Sequence, residues 1–524
     1  MKHVARSTII VALFFGLEKG LGFLRQVAIA RTFGLSSELD AFNAANNYPD
    51  LLFALISGGA LAMALIPVLS DTLETEGREA AWGLFSRIGN LLFLVTAGLS
   101  LLLAVFARPI VTGRFGVVPN FSPEQQELVI RLMRLDLIAT FLFSLSGLVI
   151  AGLQANQHFF LPALAPSMYD VGTLIGVFIL VPEKGYSLGG ITLPAFGMGI
   201  YGLVYGTILG AALFLGVQIP GLVRYRFRWT PRIELANPRV QQVIRLMLPR
   251  IGTVFFIHVV FLAQDNLASG LPVGAVSALV YGWLFMQVPE SLIGTAIGTV
   301  LLPTLSEQAA LDDSEAYRDS LHTTVRALLA LTLPATALLI VGIRPLIEVL
   351  GFDAAASDLV TWTARAYMLG LVGHSLLEVG VRAFYARQNA IVPLYASALT
   401  AVTFILFGLM LTPRLGAPGI ALANILAFSG EAALLLYLTG RDYPFWQGLQ
   451  KPLLRLSAVA LGGGGVTFVL ARLVRALSLP SLWHILASTA ALGLSALLVL
   501  PFIWPEVKIL GRIDTPSLAA DNQR

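Results

Sequence analysis

The sequence predicts an all-α polytopic membrane protein with about fourteen transmembrane helices, and three observations predict it. Of 524 residues, 56% are hydrophobic and 12% charged, where soluble domains carry roughly 25% charged residues. Mainly apolar runs of about 20 residues, the length that crosses a bilayer core, recur along the chain. The polar connectors between them are too short to form an independent soluble core. Spans are expected over 7–33, 40–68, 84–107, 128–153, 160–181, 194–222, 240–268, 273–302, 324–343, 358–385, 391–412, 418–439, 453–471 and 483–504. The longest connectors are 70–83, 108–127, 223–239 and 303–323.

The first span follows a short basic stretch, Met1 to Arg6, but carries Glu18, Lys19 and Arg25 and lacks a clear small-residue cleavage site. It is therefore expected as a retained helix and not a cleaved signal. An even number of spans places both termini on one side. Lys and Arg concentrate at the termini and in the connectors after even-numbered spans, so both termini are expected to be cytoplasmic. The run Arg224, Arg226, Arg228, Arg232, Arg239, Arg245 dominates that set. A solvated loop explains the same run, and no ligand is assigned to it. The net charge is only +4, and no basic patch is interleaved with exposed aromatics, so no nucleic-acid partner is expected. Cysteine is absent, which excludes disulfides, thiolate metal sites and cysteine nucleophiles.

The chain repeats weakly. Ala155-Asn156-Gln157 followed by Pro162 recurs as Ala386-Arg387-Gln388 followed by Pro393. Ile66-Pro67-Val68-Leu69-Ser70-Asp71 recurs as Leu302-Pro303-Thr304-Leu305-Ser306-Glu307, and Tyr48-Pro49-Asp50 as Val288-Pro289-Glu290. An offset of six helices preserves orientation, so the halves are expected as parallel repeats about an axis along the membrane normal. The expected division is an N-terminal lobe over 1–228, a C-terminal lobe over 229–440, and two further helices with a short tail over 441–524.

Ionisable residues inside spans are costly and mark cavities, partners or pathways. At 100° per residue, Asp40, Asn43, Asn47 and Asp50 fall within about 80° of one another on the second span. Such a stripe cannot face lipid, and Pro49 within it should bend the helix. On the first span, Glu18 and Arg25 share a face. Lys19 and Arg25 converge only if Gly16, Gly20 and Gly22 break the helix, as in discontinuous transporter helices. A buried Glu18–Arg25 ion pair fixing helix packing is the structural alternative. Arg250, His258 and Asp265 share a face of the seventh span; Trp283, Gln287 and Glu290 share a face of the eighth. Glu378 and Arg382 stand at the i, i+4 spacing of a helical ion pair, for which a structural role is the simpler reading. His258 alone reads as hydrogen-bonded packing.

No catalytic constellation is visible: there is no P-loop, no HExxH and no nucleophile elbow. The scattered histidines offer no metal-ligand set. Transport without ATP remains, and the Gly- and Pro-rich spans suit it, because alternating access needs close packing and hinges.

Further residues carry a family likeness. Lys19-Gly20-Leu21-Gly22-Phe23-Leu24-Arg25, Ala30-Arg31-Thr32-Phe33-Gly34, Asp40-Ala41-Phe42, Tyr48-Pro49-Asp50-Leu51-Leu52, Gly59-Ala60 and Pro67 resemble the opening of the MurJ/MviN family. The segments Ile297 to Ser306 and Phe384-Tyr385-Ala386-Arg387-Gln388 resemble it too, over roughly residues 1–440. These are bacterial flippases for lipid II, within the multidrug/oligosaccharidyl-lipid/polysaccharide exporter superfamily. The resemblance implies fourteen helices in two lobes around a central cationic cavity, and a monomer in the bacterial cytoplasmic membrane. It implies no enzyme activity and no cofactor, with coupling to the membrane potential, Na+ or H+. Its substrate would be a polyprenyl pyrophosphate bearing a disaccharide-peptide, and other cell-wall synthesis proteins would be its partners.

On that basis Arg25 and Lys19 are expected to bind the pyrophosphate, with Asp40, Asp50, Arg250 and Gln287 completing the substrate site. Glu18, Asn43, Asn47, His258, Asp265 and Glu290 are expected to line the cavity. The sequence departs from the family pattern at several points. Where the family carries a basic pair after its Pro-Asn-Leu-Leu motif, this chain has Phe53 and Ala54, and the Asn is Asp50. Where the family's eighth helix shows an acid–arginine pair and a nearby glutamate, Trp283, Leu284 and Gln287 stand. A flippase for another polyprenyl-linked glycan, a cation-coupled multidrug exporter and a non-transporting scaffold are the competing expectations.

Overall fold

A computed structural model describes the backbone of residues 2–56, 59–188 and 191–510. Side chains are described within those ranges except at 2–13, 59–60, 63, 188, 191, 249–250, 481 and 509–510. The described chain is helical, apart from one antiparallel pair of two-residue strands, Ser187–Leu188 with Ile191–Thr192. It divides into two compact units, Met1–Val276 and Ser277–Arg524.

The first unit is built from α1 (Lys2–Phe33), α2 (Ser37–Ile56), α3 (Gly59–Thr75), α4 (Arg78–Val105), α5 (Ala107–Thr112), α6 (Pro123–Ala155), α7 (Phe160–Ile175), α8 (Ile200–Gly216), α9 (Ile219–Arg224) and α10 (Pro238–Ala268). The second follows with α11 (Ala275–Glu290), α12 (Ala296–Ala310), α13 (Ser314–Gly342), α14 (Arg344–Glu348), α15 (Ala354–Met368), α16 (Leu371–Ala386), α17 (Ile391–Leu415), α18 (Ala417–Asp442), α19 (Gln450–Ala476) and α20 (Ser481–Leu510).

Among the described residues, eleven helices are long and apolar enough to cross a membrane. The expected spans at 7–33, 40–68 and 358–385 fall outside that set. The first includes residues 7–13, whose side chains lie outside those described. The second includes residues 57–58, which lie outside those described, and the third is divided between α15 and α16, which part at Leu369 and Gly370. The break at Gly16, Gly20 and Gly22 on which convergence of Lys19 with Arg25 depends is absent, since α1 runs unbroken from Lys2 to Phe33. Departures from α geometry occur elsewhere, as single π-helical turns at Gly176–Leu180 and Ser291–Thr295.

Helix α10 packs with the first unit, although the repeat would open the second lobe at 229. Its carboxylate at Asp265 and the following turn are tied to α2, as described below. Helices begin where side chains satisfy free amides. Ser122 accepts from Gln125 N at 3.2 Å with Pro123 in the first turn, and Asn237 accepts from Arg239 N at 3.0 Å with Pro238 beside it.

The repeat is carried by backbone geometry as well as by residue type. Gln157 and Gln388 both adopt positive φ, 58° and 57°. His158 N donates to Leu153 O at 2.9 Å and Asn389 N to Phe384 O at 3.0 Å. Each loop is thus the same left-handed helix stop, built on glutamine where glycine is usual. A further correspondence was not visible in the sequence: Gly199 and Gly416 (φ 54° and 63°) each precede a helix, with the third residue onward donating back at 2.9 Å. Because a side chain at left-handed φ costs about 1 kcal/mol, Gln157→Gly and Gln388→Gly are each expected to raise stability by roughly that amount. The two gains should add, as thermal unfolding in detergent would show.

Glycine also sets the contact between α7 and α8. Gly172 and Gly176 face Gly202, Gly206 and Gly210, all at four-residue spacing. A Cβ on Gly172 would lie 2.2 Å from Gly210 Cα, and one on Gly176 would lie 2.7 Å from Gly206 Cα. Backbones approach this closely only where side chains are absent, the packing mode of small-residue stripes in membranes. That contact fixes the position of Tyr169 and Asp170, one turn earlier on α7.

In the second unit, the C-terminal helices α19 and α20 pack on α13. Glu506 of α20 is fully buried and pairs with Arg326 of α13 at 3.0 Å and with Arg455 of α19. One carboxylate therefore ties three helices together.

Candidate functional site

The polar residues of the first unit gather around α1, α2, α6, α7 and α10. Arg25, on α1, places Nη1 2.9 Å from Asp170 Oδ1; the side chains are 18% and 4% exposed. Its guanidinium also lies over the Tyr169 ring, 4.8 Å from the centroid. Gly22, one turn earlier on α1, faces the same carboxylate: a Cβ there would stand 3.8 Å from Asp170 Oδ2, an ordinary contact. Behind Tyr169 stands Phe143 at 5.3 Å, with Phe53 on it at 6.0 Å. The position where the family pattern has a basic residue, Phe53, thus forms an aromatic wall behind Arg25.

Two further acids complete this region. Asp136 of α6 is buried, and Asp50 of α2 is exposed within electrostatic reach of it. Sequence reasoning missed Asp136, Tyr169 and Asp170. The signal for the acids was available: each is an acid within an expected apolar span, 128–153 or 160–181.

Lys19 does not converge with Arg25. It is 58% exposed and pairs with its neighbour Glu18 at 3.2 Å, with Phe15 beneath it at 4.9 Å. The Glu18–Arg25 pair does not form, because each residue takes a nearer partner. Both Lys19 and Glu18 nevertheless lie within electrostatic reach of Asp170.

The stripe on α2 divides by role along its length. Asp40 is buried and accepts the amide of Gly274 at 2.6 Å. Asn43 is half-buried. Asn47 donates to the buried carboxylate of Asp265 on α10, so this stripe meets another polar face. Removing the amide would leave a buried carboxylate short of a partner, at roughly 1–3 kcal/mol. Asn47→Ala is therefore expected to lower stability by about that much, and Asn47→Ala with Asp265→Ala to recover most of it in thermal unfolding. His258 bonds Val254 O within its own helix at 3.0 Å and packs on Phe261. The side chain of Arg250 lies outside the described residues.

The second unit holds a smaller cluster. Glu290, half-buried at the end of α11, accepts from Thr295 Oγ1 at 3.2 Å across the π-helical turn. Arg382 of α16 lies within its electrostatic reach, pairs with Glu378, and occupies the space beside Gly298. Gln287 is exposed. Trp283 packs against Tyr367 and His374, at 5.5 and 5.3 Å.

The arrangement can hold one anionic group. Arg25 is a fixed cation in a poorly solvated place, with an acid as its counter-ion and aromatic rings behind it. An incoming phosphate would exchange with the carboxylate of Asp170, since both accept from guanidinium in the same geometry.

Comparison with known proteins is consistent with this chemistry. Residues 29–488 match the family model described as lipid II flippase MurJ. The chain is 28% identical over 455 residues to the lipid II flippase MurJ of Burkholderia cenocepacia, covering 85% of each. It is 26% identical over 513 residues to the probable lipid II flippase MurJ of Rhizobium tropici, covering 96% of this chain and 93% of that one. In fold, it resembles a structure of lipid II flippase MurJ in an inward closed conformation, with TM-score 0.74 and 22% identity over 94% of this chain and 99% of that one. It also resembles an inward-facing multidrug resistance MATE transporter, with TM-score 0.68 and 13% identity over 84% and 99%.

Proposed function

Because the chain belongs to the lipid II flippase MurJ family, we propose that it carries lipid II from the cytoplasmic to the outer leaflet of a bacterial inner membrane. It does so by alternating access, as a monomer with both termini cytoplasmic. The observation that carries this reading is the Arg25 site: a cation 18% exposed, held by Asp170 and faced by Tyr169. A pyrophosphate entering this site takes the guanidinium from Asp170. The released carboxylate then stands without its guanidinium, within electrostatic reach of Glu18, and takes up a cation. H+ or Na+ in that role would couple the headgroup's passage to the ion gradient. Lys19, exposed on the same helix, attracts the headgroup before it reaches Arg25. The polyprenyl tail remains in the bilayer, since no apolar chain needs to enter the polar site.

A second reading, transport of a different polyprenyl-linked glycan, is favoured by one observation. Phe53 and Trp283 put rings where the family pattern has charges, and rings suit sugar faces. The test is expression in a strain depleted of its own lipid II flippase. Rescue of growth by the wild-type chain is expected. Failure to rescue, with the chain present in the membrane, would sink the lipid II assignment.

A further inference from the structure

The arginine run at 224–232 lies outside the site described above, and its surroundings give it a ligand. After α9 the chain crosses α4 without helix or strand from 227 to 234. It is pinned there by side chains. Asn90 Nδ2 donates to Thr230 O at 2.7 Å and Arg232 O at 2.9 Å, Trp229 Nε1 donates to Asn90 Oδ1 at 2.7 Å, and Trp82 Nε1 donates to Tyr225 O at 3.1 Å. Beneath this strap lies an apolar cavity of about 720 Å³, walled by α4, α6 and α8.

The strap's sequence alternates. Phe227, Trp229, Pro231 and Ile233 line the cavity, as every second residue of an extended chain falls on one side. Between them, Arg228 and Arg232 are exposed, as are Arg224 and Arg226 just before. No ion pair engages these four among the described residues. Glu234, in the same stretch, pairs with Arg87 at 2.8 Å, and Glu76 pairs with Arg239 at 3.0 Å. Trp229 is 64% exposed and Ile233 51%, the mixture of ring, aliphatic and arginine found at a bilayer interface.

We infer that this strap and cavity form a site for an anionic diacyl phospholipid of the bilayer. An acyl chain fills the apolar cavity, and the phosphate is held by the exposed arginines. Charge complementarity commits the occupant: an uncompensated cationic rim on an apolar pocket excludes a free fatty chain without a head and a soluble anion without a tail. A surface arginine is worth roughly fivefold toward anionic lipid, so three together should matter by about a hundredfold. This site does not depend on the substrate assignment, since it shares no residue with the Arg25 site.

The test is native mass spectrometry of the purified full chain in detergent with phosphatidylglycerol and phosphatidylethanolamine. Wild type is expected to retain phosphatidylglycerol selectively; equal retention of both would overturn the proposal without any variant. In R226Q/R228Q/R232Q, which leaves the pinning bonds of Asn90 intact, phosphatidylglycerol retention should fall by about a hundredfold and phosphatidylethanolamine retention by far less, since its ammonium offsets its phosphate. Leu94→Trp, which narrows the cavity and keeps every arginine, should weaken both lipids at least tenfold. Unchanged retention in either variant contradicts the site. Displacement of phosphatidylglycerol by an equimolar polyprenyl phosphate would make it a substrate-tail site and overturn the phospholipid assignment.

Discussion

Arg25→Ala is expected to reduce lipid II translocation in reconstituted vesicles to below about a tenth of wild type. A charge-assisted hydrogen bond is worth roughly 1.5–3 kcal/mol, and each 1.4 kcal/mol is tenfold. The variant also removes the cation from beside Asp170, which is 4% exposed. Breaking a buried pair from one side costs about 3–5 kcal/mol, because the remaining charge is left uncompensated. A fall in thermal stability should therefore accompany the loss of transport. The two effects separate in Arg25→Ala with Asp170→Asn. That double variant removes both charges, so its melting temperature should return close to wild type while translocation stays low. Recovery of transport together with stability would reduce Arg25 to a packing residue.

Glu506→Ala is expected to lower stability by about 3 kcal/mol or more, chiefly by loosening α19 and α20 from α13. Glu506 is fully buried and faces two arginines, Arg326 at 31% and Arg455 at 48% exposure. Losing the shared carboxylate leaves two cations close together with no acid between them. Either arginine alone should cost less, since its partly exposed head is solvated and screened. Thermal unfolding in detergent reads the difference, and Arg326→Gln/Arg455→Gln/Glu506→Gln should recover most of it. An unchanged melting temperature in Glu506→Ala would show that apolar contacts alone hold the C-terminal pair.

Much of this architecture was legible because the bilayer imposes it. Apolar runs mark the spans, and the Gln157 and Gln388 loops betray the repeat, because a left-handed helix stop constrains the residues around it. The Gly-rich spans were read as suited to close packing, and α7 and α8 meet in that way at Gly172, Gly206 and Gly210. Helix interruptions were read less well. A Cβ on Gly16 or Gly20 would meet nothing within 4 Å, so neither glycine marks a close approach, and α1 runs unbroken through both. The interruption in the 358–385 span falls instead at Leu369 and Gly370, in a sequence with no proline.

The candidate site was half legible. Arg25 stood out as a charge in an apolar helix, but its partner came from α7, and no periodicity within one helix can reveal a partner on another. Asp170 is the one charged residue of its span and Asp136 the one acid of its own, so neither forms an acidic stripe that periodicity could reveal. Asp40 and Asn47 were correctly read as unable to face lipid. Their partners, the Gly274 amide and Asp265, lie more than 200 residues away in sequence, a distance across which only the fold speaks.

The central claim is that a phosphate-bearing lipid headgroup passes by way of Arg25. Its most direct measurement is translocation of purified lipid II in vesicles containing the purified chain, read by the accessibility of the headgroup on the far side. The account predicts transfer by wild type, and loss of transfer in Arg25→Ala/Asp170→Asn with the protein folded. Transfer by the folded double variant at the wild-type rate would contradict it.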